Sequence, residues 1–309
     1  MISIIGSGRV GATTAAFFML KQLDNKINLV DIVEGLPQGE ALDLNHTAAI
    51  LGIDVTVTGS NSYETIRGSD IVVITAGLPR KPGMTREELA AKNAEIVSAA
   101  ADSVRKYAPD ATVIITTNPL DVMVTVLFSK LKFPRNRVIG FSGVLDSRRM
   151  AYYASRYLNI SPSAITPLVL GQHGENMYPV PELSFVYGKS LKSMLDERQY
   201  EDVVKNTINA GADITNLRKF SSNWGPAGGL TVMVDAIKND RKTALEASVL
   251  LDGEYGYHGV FAEVPIILGR NGVEKIIEVD LDTEQKEKLG RSIEAIRSNL
   301  KQVPESYLK

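Results

Sequence analysis

The chain is 309 residues long, with 44% hydrophobic and 23% charged residues, the make-up of a folded globular protein of about two domains and not of a disordered chain. Its 34 Lys and Arg against 36 Asp and Glu leave a net charge of −2, which argues against a surface built to neutralise nucleic-acid phosphates or anionic lipid. There is no cysteine, so disulfides, thiolate metal sites and cysteine nucleophiles are excluded.

In chain order, the first half alternates short β-branched runs with helical periodicity. Strands are expected at residues 2–5, 27–31, 54–58, 70–76, 111–116 and 137–141, and helices at 9–23, 36–51, 85–107 and 118–131. The runs Ile71-Val72-Val73-Ile74 and Val113-Ile114-Ile115 are apolar on both faces, as in a parallel sheet covered by helices on each side. This alternation predicts right-handed βαβ units and a doubly wound α/β sheet. After about residue 143 the pattern changes to α+β. Helices are expected at 146–158, 196–217, 228–238 and 282–302, with strands at 164–170, 182–186, 244–251, 260–268 and 274–278. The expected division is an N-terminal Rossmann domain over 1–143 and an α+β domain over 144–309.

No stretch reaches the ~18 uncharged apolar residues needed to span a bilayer. Met1 runs straight into Ile2-Ser3-Ile4-Ile5 with no basic region or cleavage site, so the expectation is a cytoplasmic chain without a secretory leader. The sequons at Asn45 and Asn159 are then chance matches.

Gly6-Ser7-Gly8-Arg9-Val10-Gly11 is a G-x-G-x-x-G that follows a strand and opens a helix, with Asp31 at the end of the next strand, 20 residues past Gly11. One Gly permits the turn, one lets backbone approach a pyrophosphate, and one lets helix and strand pack closely. Asp31 would accept from an adenosine ribose. Competing motifs fail: Gly188-Lys189-Ser190 lacks the upstream Gly of a Walker A loop (Leu183 stands there), and Gly140-Phe141-Ser142-Gly143 lacks the last Gly of a nucleophile elbow (Val144 stands there). There is no H-E-x-x-H, and no metal site is expected.

Of three histidines, His46 reads as a surface or subunit-interface residue and His258 as part of a turn. His173, bracketed by Gly171 and Gly174 at the end of an apolar strand, is the proton-transfer candidate. Arg80 lies in the loop Gly77-Leu78-Pro79-Arg80-Lys81-Pro82-Gly83, and Arg86 follows Thr85, an N-cap completed by Glu88. Arg148 and Arg149 follow Leu145-Asp146-Ser147. Cations in a first helical turn oppose the helix dipole, so Arg86 and Arg149 need other partners. Several Arg residues and one His suit a small carboxylate substrate.

These residues resemble the lactate/malate dehydrogenase family, and most closely its malate dehydrogenases of the lactate-dehydrogenase-like type. The likeness runs through the Gly6–Gly11 loop, Asp31, residues 77–86, Thr117-Asn118-Pro119, residues 145–149, 170–175 and 264–278. It implies NAD as cofactor and a malate/oxaloacetate reaction in the tricarboxylic acid cycle, with His173 as acid/base, Asp146 as its orienting carboxylate and Arg86 polarising the reacting carbonyl. Arg149 would grip the C1 carboxylate, Arg80 would read the distal carboxylate, and Asn118 would lie near substrate and nicotinamide ribose. Gly6, Gly8, Arg9, Val10, Gly11, Asp31, Ala76, Gly77, Asn93, Thr116, Asn118 and Ser222 would line the dinucleotide. At Ser222, Lys219-Phe220-Ser221-Ser222-Asn223-Trp224 departs from the family's usual Lys-Gly-x-Thr-x-Tyr. The resemblance also implies a cis Asn118–Pro119 bond and a dimer or tetramer formed through the helix at 39–51. The alternatives are another 2-hydroxy-acid dehydrogenase such as lactate dehydrogenase, opposed by Arg80; an NAD- and metal-dependent glycosidase, opposed by the lack of cysteine; and a non-catalytic NAD-binding regulator, opposed by the retained His173, Asp146 and arginines.

Overall fold

The computed structural model describes residues 1–79 and 84–308, apart from the side chain of Arg86. The first half runs β1 (Ile2–Ile5), α1 (Arg9–Leu20), β2 (Lys26–Val30), α2 (Leu36–Leu51), β3 (Thr56–Ser60), β4 (Ile71–Ile74), α3 (Arg86–Tyr107), β5 (Thr112–Ile115), α4 (Leu120–Leu131) and β6 (Val138–Gly140). The second half continues with α5 (Gly143–Leu158), β7 (Val169–Gly171), β8 (Met177–Pro179), β9 (Phe185–Val186), β10 (Lys189–Ser190), α6 (Leu191–Met194), α7 (Glu197–Arg218) and α8 (Trp224–Lys238). It closes with β11 (Thr243–Asp252), β12 (His258–Gly269), β13 (Gly272–Ile276) and α9 (Thr283–Leu300).

Strands β1, β4 and β5 are buried at every position, so each must be covered on both faces. Helices α1 and α8 cover one face, where Phe18, Met19, Leu230 and Val234 meet Ile4 and Val73. Helices α3 and α4 cover the other, with Val97, Ala101, Val124 and Leu127 against Val72 and Ile115. The parallel order is β3-β2-β1-β4-β5-β6, so the chain reverses direction across the sheet between β1 and β4. In such sheets the crevice beyond the strand C-termini at that point is where ligands bind.

The sheet does not stop at β6. It continues, now antiparallel, as β11-β12-β7-β8, with β13 also on β12. One register line crosses it: Ser60, Val30, Ile5, Ile74, Ile115, Gly140, Ser248, Glu263 and Gly171 are successive partners. Asp31, Gly6, Thr75, Thr116 and Phe141 each come one residue beyond this line, and His173 two residues beyond it.

Helix starts follow local chemistry. Thr85 with Glu88 forms the expected capping box at α3, Asp282 with Gln285 does so at α9, and Asp196 with Gln199 at α7. Other expectations need correcting. The expected strand at 182–186 is only Phe185–Val186 paired with Lys189–Ser190, because Pro181 opens a 3-10 turn and proline cannot donate to a ladder. The strand expected from residue 164 begins at Val169, and Met177–Pro179 is a further strand that the sequence pattern hides among Gly, Asn and Pro. Helix α5 begins at Gly143 rather than 146, and α8 at Trp224 rather than 228, since neither start carries a side-chain cap. Helix α1 ends at Leu20 instead of 23.

Gly6 takes φ +104°, and a Cβ there would meet the Ala76 backbone nitrogen at 2.5 Å. Gly11 faces the Gly6 carbonyl so closely that a Cβ could not fit without parting helix from loop. Gly11→Ala is therefore expected to cost about 1–3 kcal/mol of stability, the usual penalty of overpacking. Chemical denaturation checks this: the midpoint should fall with the slope unchanged.

Candidate active site

The first turn of α1 sits at the end of β1. Its N-cap, Gly8, is exposed and makes no side-chain cap, its first turn holds no acid, and the space a Cβ of Gly8 would enter is open. The leading N–H groups of a helix are without intrahelical partners and favour an anion. Beside them Asp31 Oδ2 accepts the Ser7 N–H at 2.7 Å and Oδ1 the Val33 N–H at 2.9 Å, which fixes the carboxylate at the end of β2. Each oxygen keeps a lone pair for a ligand hydroxyl.

Arg9 and Val10 belong to that same first turn. The Arg9 guanidinium lies over the Phe220 ring at 3.8 Å, and Arg218 lies over the same ring at 4.3 Å. Ser222 stands just before α8, and the next residue, Asn223, donates to Thr13 Oγ1 of α1 at 2.8 Å. The segment after α7 is thus held over the glycine-rich loop.

Ala76 and Gly77 follow β4, and Thr116 follows β5. Asn93 on α3 is buried and joins the two loops: it accepts the Leu78 N–H at 2.8 Å and donates to the Asn118 carbonyl at 2.7 Å and the Leu78 carbonyl at 3.2 Å. Both amide hydrogens are engaged inside the protein, so Asn93 ties the two loops together. The Asn118–Pro119 bond is cis. Asn118 is exposed and shares with His173, Leu89 and Gly174 a cleft of about 270 Å³, lined also by Ile296 and Gln302 of α9 and its following turn.

The chemistry converges on Asp146, in the first turn of α5, whose side chain is 0% exposed. Its Oδ2 lies 2.5 Å from His173 Nδ1, and its Oδ1 accepts Arg149 Nη1 at 3.0 Å. The need of Arg149 for a partner is met one turn back along its own helix. His173 is 17% exposed, so its ring reaches the cleft. Burial alone would lower its affinity for a proton; the Asp146 charge and hydrogen bond, and then the Asp121 charge, outweigh this and raise His173 above its ordinary value.

Two residues here escaped the sequence reading. Asp121, in the first turn of α4, accepts the His173 backbone N–H at 2.9 Å and the Ser248 hydroxyl at 2.7 Å, so it positions the backbone that carries the imidazole. Burial pushes its carboxyl up to about 6 against these hydrogen bonds. Glu263, on β12, is fully buried, and one of its oxygens lies within 4.8 Å of the nearest atoms of Asp146 and His173. The sequence signal for Glu263 was present: a single charged residue inside the apolar run from Val260 to Leu268. Because His173 Nδ1 is already engaged by Asp146, we read this cluster as proton-handling and not as a cation cage.

His46 is exposed on α2, and His258 is exposed with Nδ1 3.2 Å from Asp252. Neither reaches the cleft. Arg80 lies outside the described residues, as does the side chain of Arg86, whose backbone opens α3.

Comparison with known proteins agrees in every part of the chain. The model of the lactate/malate dehydrogenase NAD binding domain matches residues 1–140, and that of the lactate/malate dehydrogenase alpha/beta C-terminal domain matches residues 143–306. Malate dehydrogenase of Caldivirga maquilingensis is 68% identical over 309 residues, all of both chains, and that of Pyrobaculum aerophilum is 58% identical over the same span. The solved malate dehydrogenase of Aeropyrum pernix superposes with a TM-score of 0.97 at 48% identity, covering 100% of both chains. A lactate dehydrogenase of Cryptosporidium parvum, complexed with lactic acid and the dinucleotide, reaches 0.93 at 36% identity, covering 97% of this chain and 96% of its own. With both halves matched in order and full-length relatives at this identity, the chain belongs to the lactate/malate dehydrogenase family.

Proposed function

We propose that the chain is an NAD-dependent malate dehydrogenase that interconverts malate and oxaloacetate. The observation that carries this reading is the double use of Asp146, one oxygen on His173 and the other on Arg149. That pairing places a proton-transfer group and a carboxylate-binding cation a fixed distance apart, as a 2-hydroxy acid requires. Residues 1–143 would hold the dinucleotide and residues 144–309 would form the substrate/catalytic domain that carries Asp146, Arg149 and His173. The assembly is read as a cytoplasmic homo-oligomer serving the tricarboxylic acid cycle. In support of the oligomer, α2 leaves Leu42, Ile50 and Leu51 exposed on its outer side.

The dinucleotide fits the residues present: the open space at Gly8 and the free N–H groups of α1 suit a pyrophosphate, and Asp31 suits a ribose. When bound, NAD supplies the two-electron redox chemistry. The remaining work belongs to the chain. Asp146 holds His173 Nδ1 as the N–H tautomer, leaving Nε2 to take the proton of the malate C2 hydroxyl or to return it to the oxygen of reduced oxaloacetate. The Arg149 nitrogens not bonded to Asp146 receive the C1 carboxylate, Asn118, which lines the cleft with His173, adds a polar contact, and Arg86 stabilises the charge growing on the C2 oxygen. Arg80 would select a second carboxylate.

Asp31 tolerates ribose hydroxyls but repels a 2′-phosphate of about 1.5 to 2 negative charges. NAD is expected to be used at least about tenfold more efficiently than NADP, a difference of roughly 1.4 kcal/mol, and Asp31→Asn should narrow the gap. Comparing kcat/KM for both cofactors checks this, and equal values would defeat the role of Asp31.

The raised His173 keeps its proton to higher pH than an unassisted histidine. Oxaloacetate reduction, which needs that proton, should fall as pH rises through the raised value, and malate oxidation should climb through the same window. Asp146→Asn removes the raising charge, so both limbs of the residual activity should move to lower pH. Parallel profiles in the two directions, once the reaction's own proton is allowed for, would sink the acid–base assignment.

Substrate choice is tested with oxaloacetate and pyruvate side by side. Breaking a desolvated charge pair costs about 2–5 kcal/mol, or roughly 30- to 5,000-fold. Arg80→Gln should lower oxaloacetate efficiency within that range and leave pyruvate reduction equal or improved, since an unpaired cation penalises the smaller substrate. Arg149→Gln should impair both. An equal change for the two keto acids in Arg80→Gln would remove the malate reading in favour of a less selective 2-hydroxy-acid dehydrogenase.

A further inference from the structure

Behind Asp146, away from the cleft, lies a carboxyl group that the reaction just described does not use. Glu263 sits on the register line of the sheet, paired on one side with Ser248 and on the other with Gly171. Its side chain runs under the start of α5: a Cβ on Gly143 would lie 2.7 Å from Glu263 Oε1, so the glycine leaves the room this carboxyl fills. Glu263 is 0% exposed, and neither of its oxygens has a hydrogen-bond partner among the described groups. The Ser142 hydroxyl that faces it is likewise unpaired.

The charged and titratable groups around it come from every packed element. Asp146, Arg148 and Arg149 belong to α5, Asp121 to α4, Glu246 to β11, and His173 follows β7. Arg149 is committed to Asp146, and Arg148 lowers Glu246 by its charge, against burial, and donates to the Ile165 carbonyl. Among the described residues no cation is left for Glu263. A fully buried ionised carboxylate with no counter-ion among the described residues, and only the Ser142 hydroxyl facing it, is too costly to keep, so the group holds its proton. Burial is the largest cause, the Asp146 charge the next, and Glu246 and Asp121 add to it; together they drive Glu263 well above the usual carboxylate range.

A protonated carboxyl is a donor, and a charged acceptor, Asp146, has an oxygen within 4.8 Å of one of Glu263's. We propose that Glu263 is a positioning residue that acts as a neutral carboxylic acid behind Asp146, sharing its negative charge and so limiting how firmly Asp146 holds the proton on His173. Without that O–H, the whole Asp146 charge would bear on the imidazolium, and malate oxidation would need a higher pH to start. The inference rests on His173 being the acid/base of the proposed reaction.

The test compares wild type, Glu263→Met, Glu263→Gln and His173→Asn. Methionine keeps the volume and removes the donor; glutamine keeps an N–H donor in place. In Glu263→Met the pH limbs of kcat/KM in both directions should move up by about half a unit to one unit, within the range neighbours impose on histidines. In Glu263→Gln they should stay within half of that shift. Limbs of Glu263→Met that superimpose on wild type, even with a lowered melting temperature, would reduce Glu263 to a packing role and overturn the proposal; so would an equal shift in both variants. His173→Asn separates the two readings: wild-type efficiency there would overturn the acid–base assignment itself, whatever Glu263 does. Infrared spectroscopy of the wild-type protein at neutral pH gives a measurement independent of turnover. The carbonyl stretch of a buried protonated carboxyl should be present and should weaken in Glu263→Gln, and its absence from wild type would overturn the proposal even if Glu263→Met failed to fold.

Discussion

A single carboxylate, removed completely from solvent, sets the terms for the rest of the molecule. Both oxygens of Asp146 are engaged, one by an imidazole brought from 27 residues away and the other by a guanidinium one helical turn on. Losing either partner would leave a buried charge uncompensated, a penalty of about 3–5 kcal/mol in comparable cases. Helix α5 must therefore begin where it does, His173 must leave β7 at a fixed angle, and Arg149 must point inward although the first turn of a helix disfavours a cation. Asp121 contributes to the same end by holding the His173 backbone rather than its ring.

How far the sequence reveals this depends on the range of each interaction. The glycine-rich loop is legible because its constraints are local: Gly6 and Gly11 are required by a turn and by a contact five residues apart. His173 stands out because glycines bracket it, and Asp146 and Arg149 because they share one helix. Asp121 does not stand out, since an acid in a first turn has an ordinary explanation in the helix dipole. Glu263 reads as an interruption of an apolar strand. Residues 121, 146, 173, 246 and 263 have no informative spacing, and only the register from Gly140 through Ser248 and Glu263 to Gly171 brings them together. The strand at Met177–Pro179 and the uncapped starts of α5 and α8 were missed for the same reason: tertiary packing, not local propensity, makes them.

The cofactor side is tied down by groups from both halves. Phe220, between Arg9 and Arg218, and Asn223, on Thr13, fasten the segment after α7 to the first helix. Asn93 fastens the loop after β4 to the loop after β5. Such struts fix loops that would otherwise be free to drift at the ends of the strands, and a site built from several loops needs them because small errors in placement are costly to catalysis.

The sheet's passage from parallel to antiparallel without a gap bears on how the chain could be divided. Phe261 of β12 and Val303 beyond α9 belong to the apolar layer under α3 and α4, while Lys130 and Ser129 of α4 donate to the carbonyls of Ser306 and Leu308. A cut near residue 143 would expose β6 on one fragment and β11 on the other, each an open edge bordered by apolar surface. Such edges recruit other strands, so the pieces would be prone to aggregate or to reassociate. The two halves that sequence patterns distinguish are thus interdependent for solubility, and neither could readily be transplanted as a module on its own.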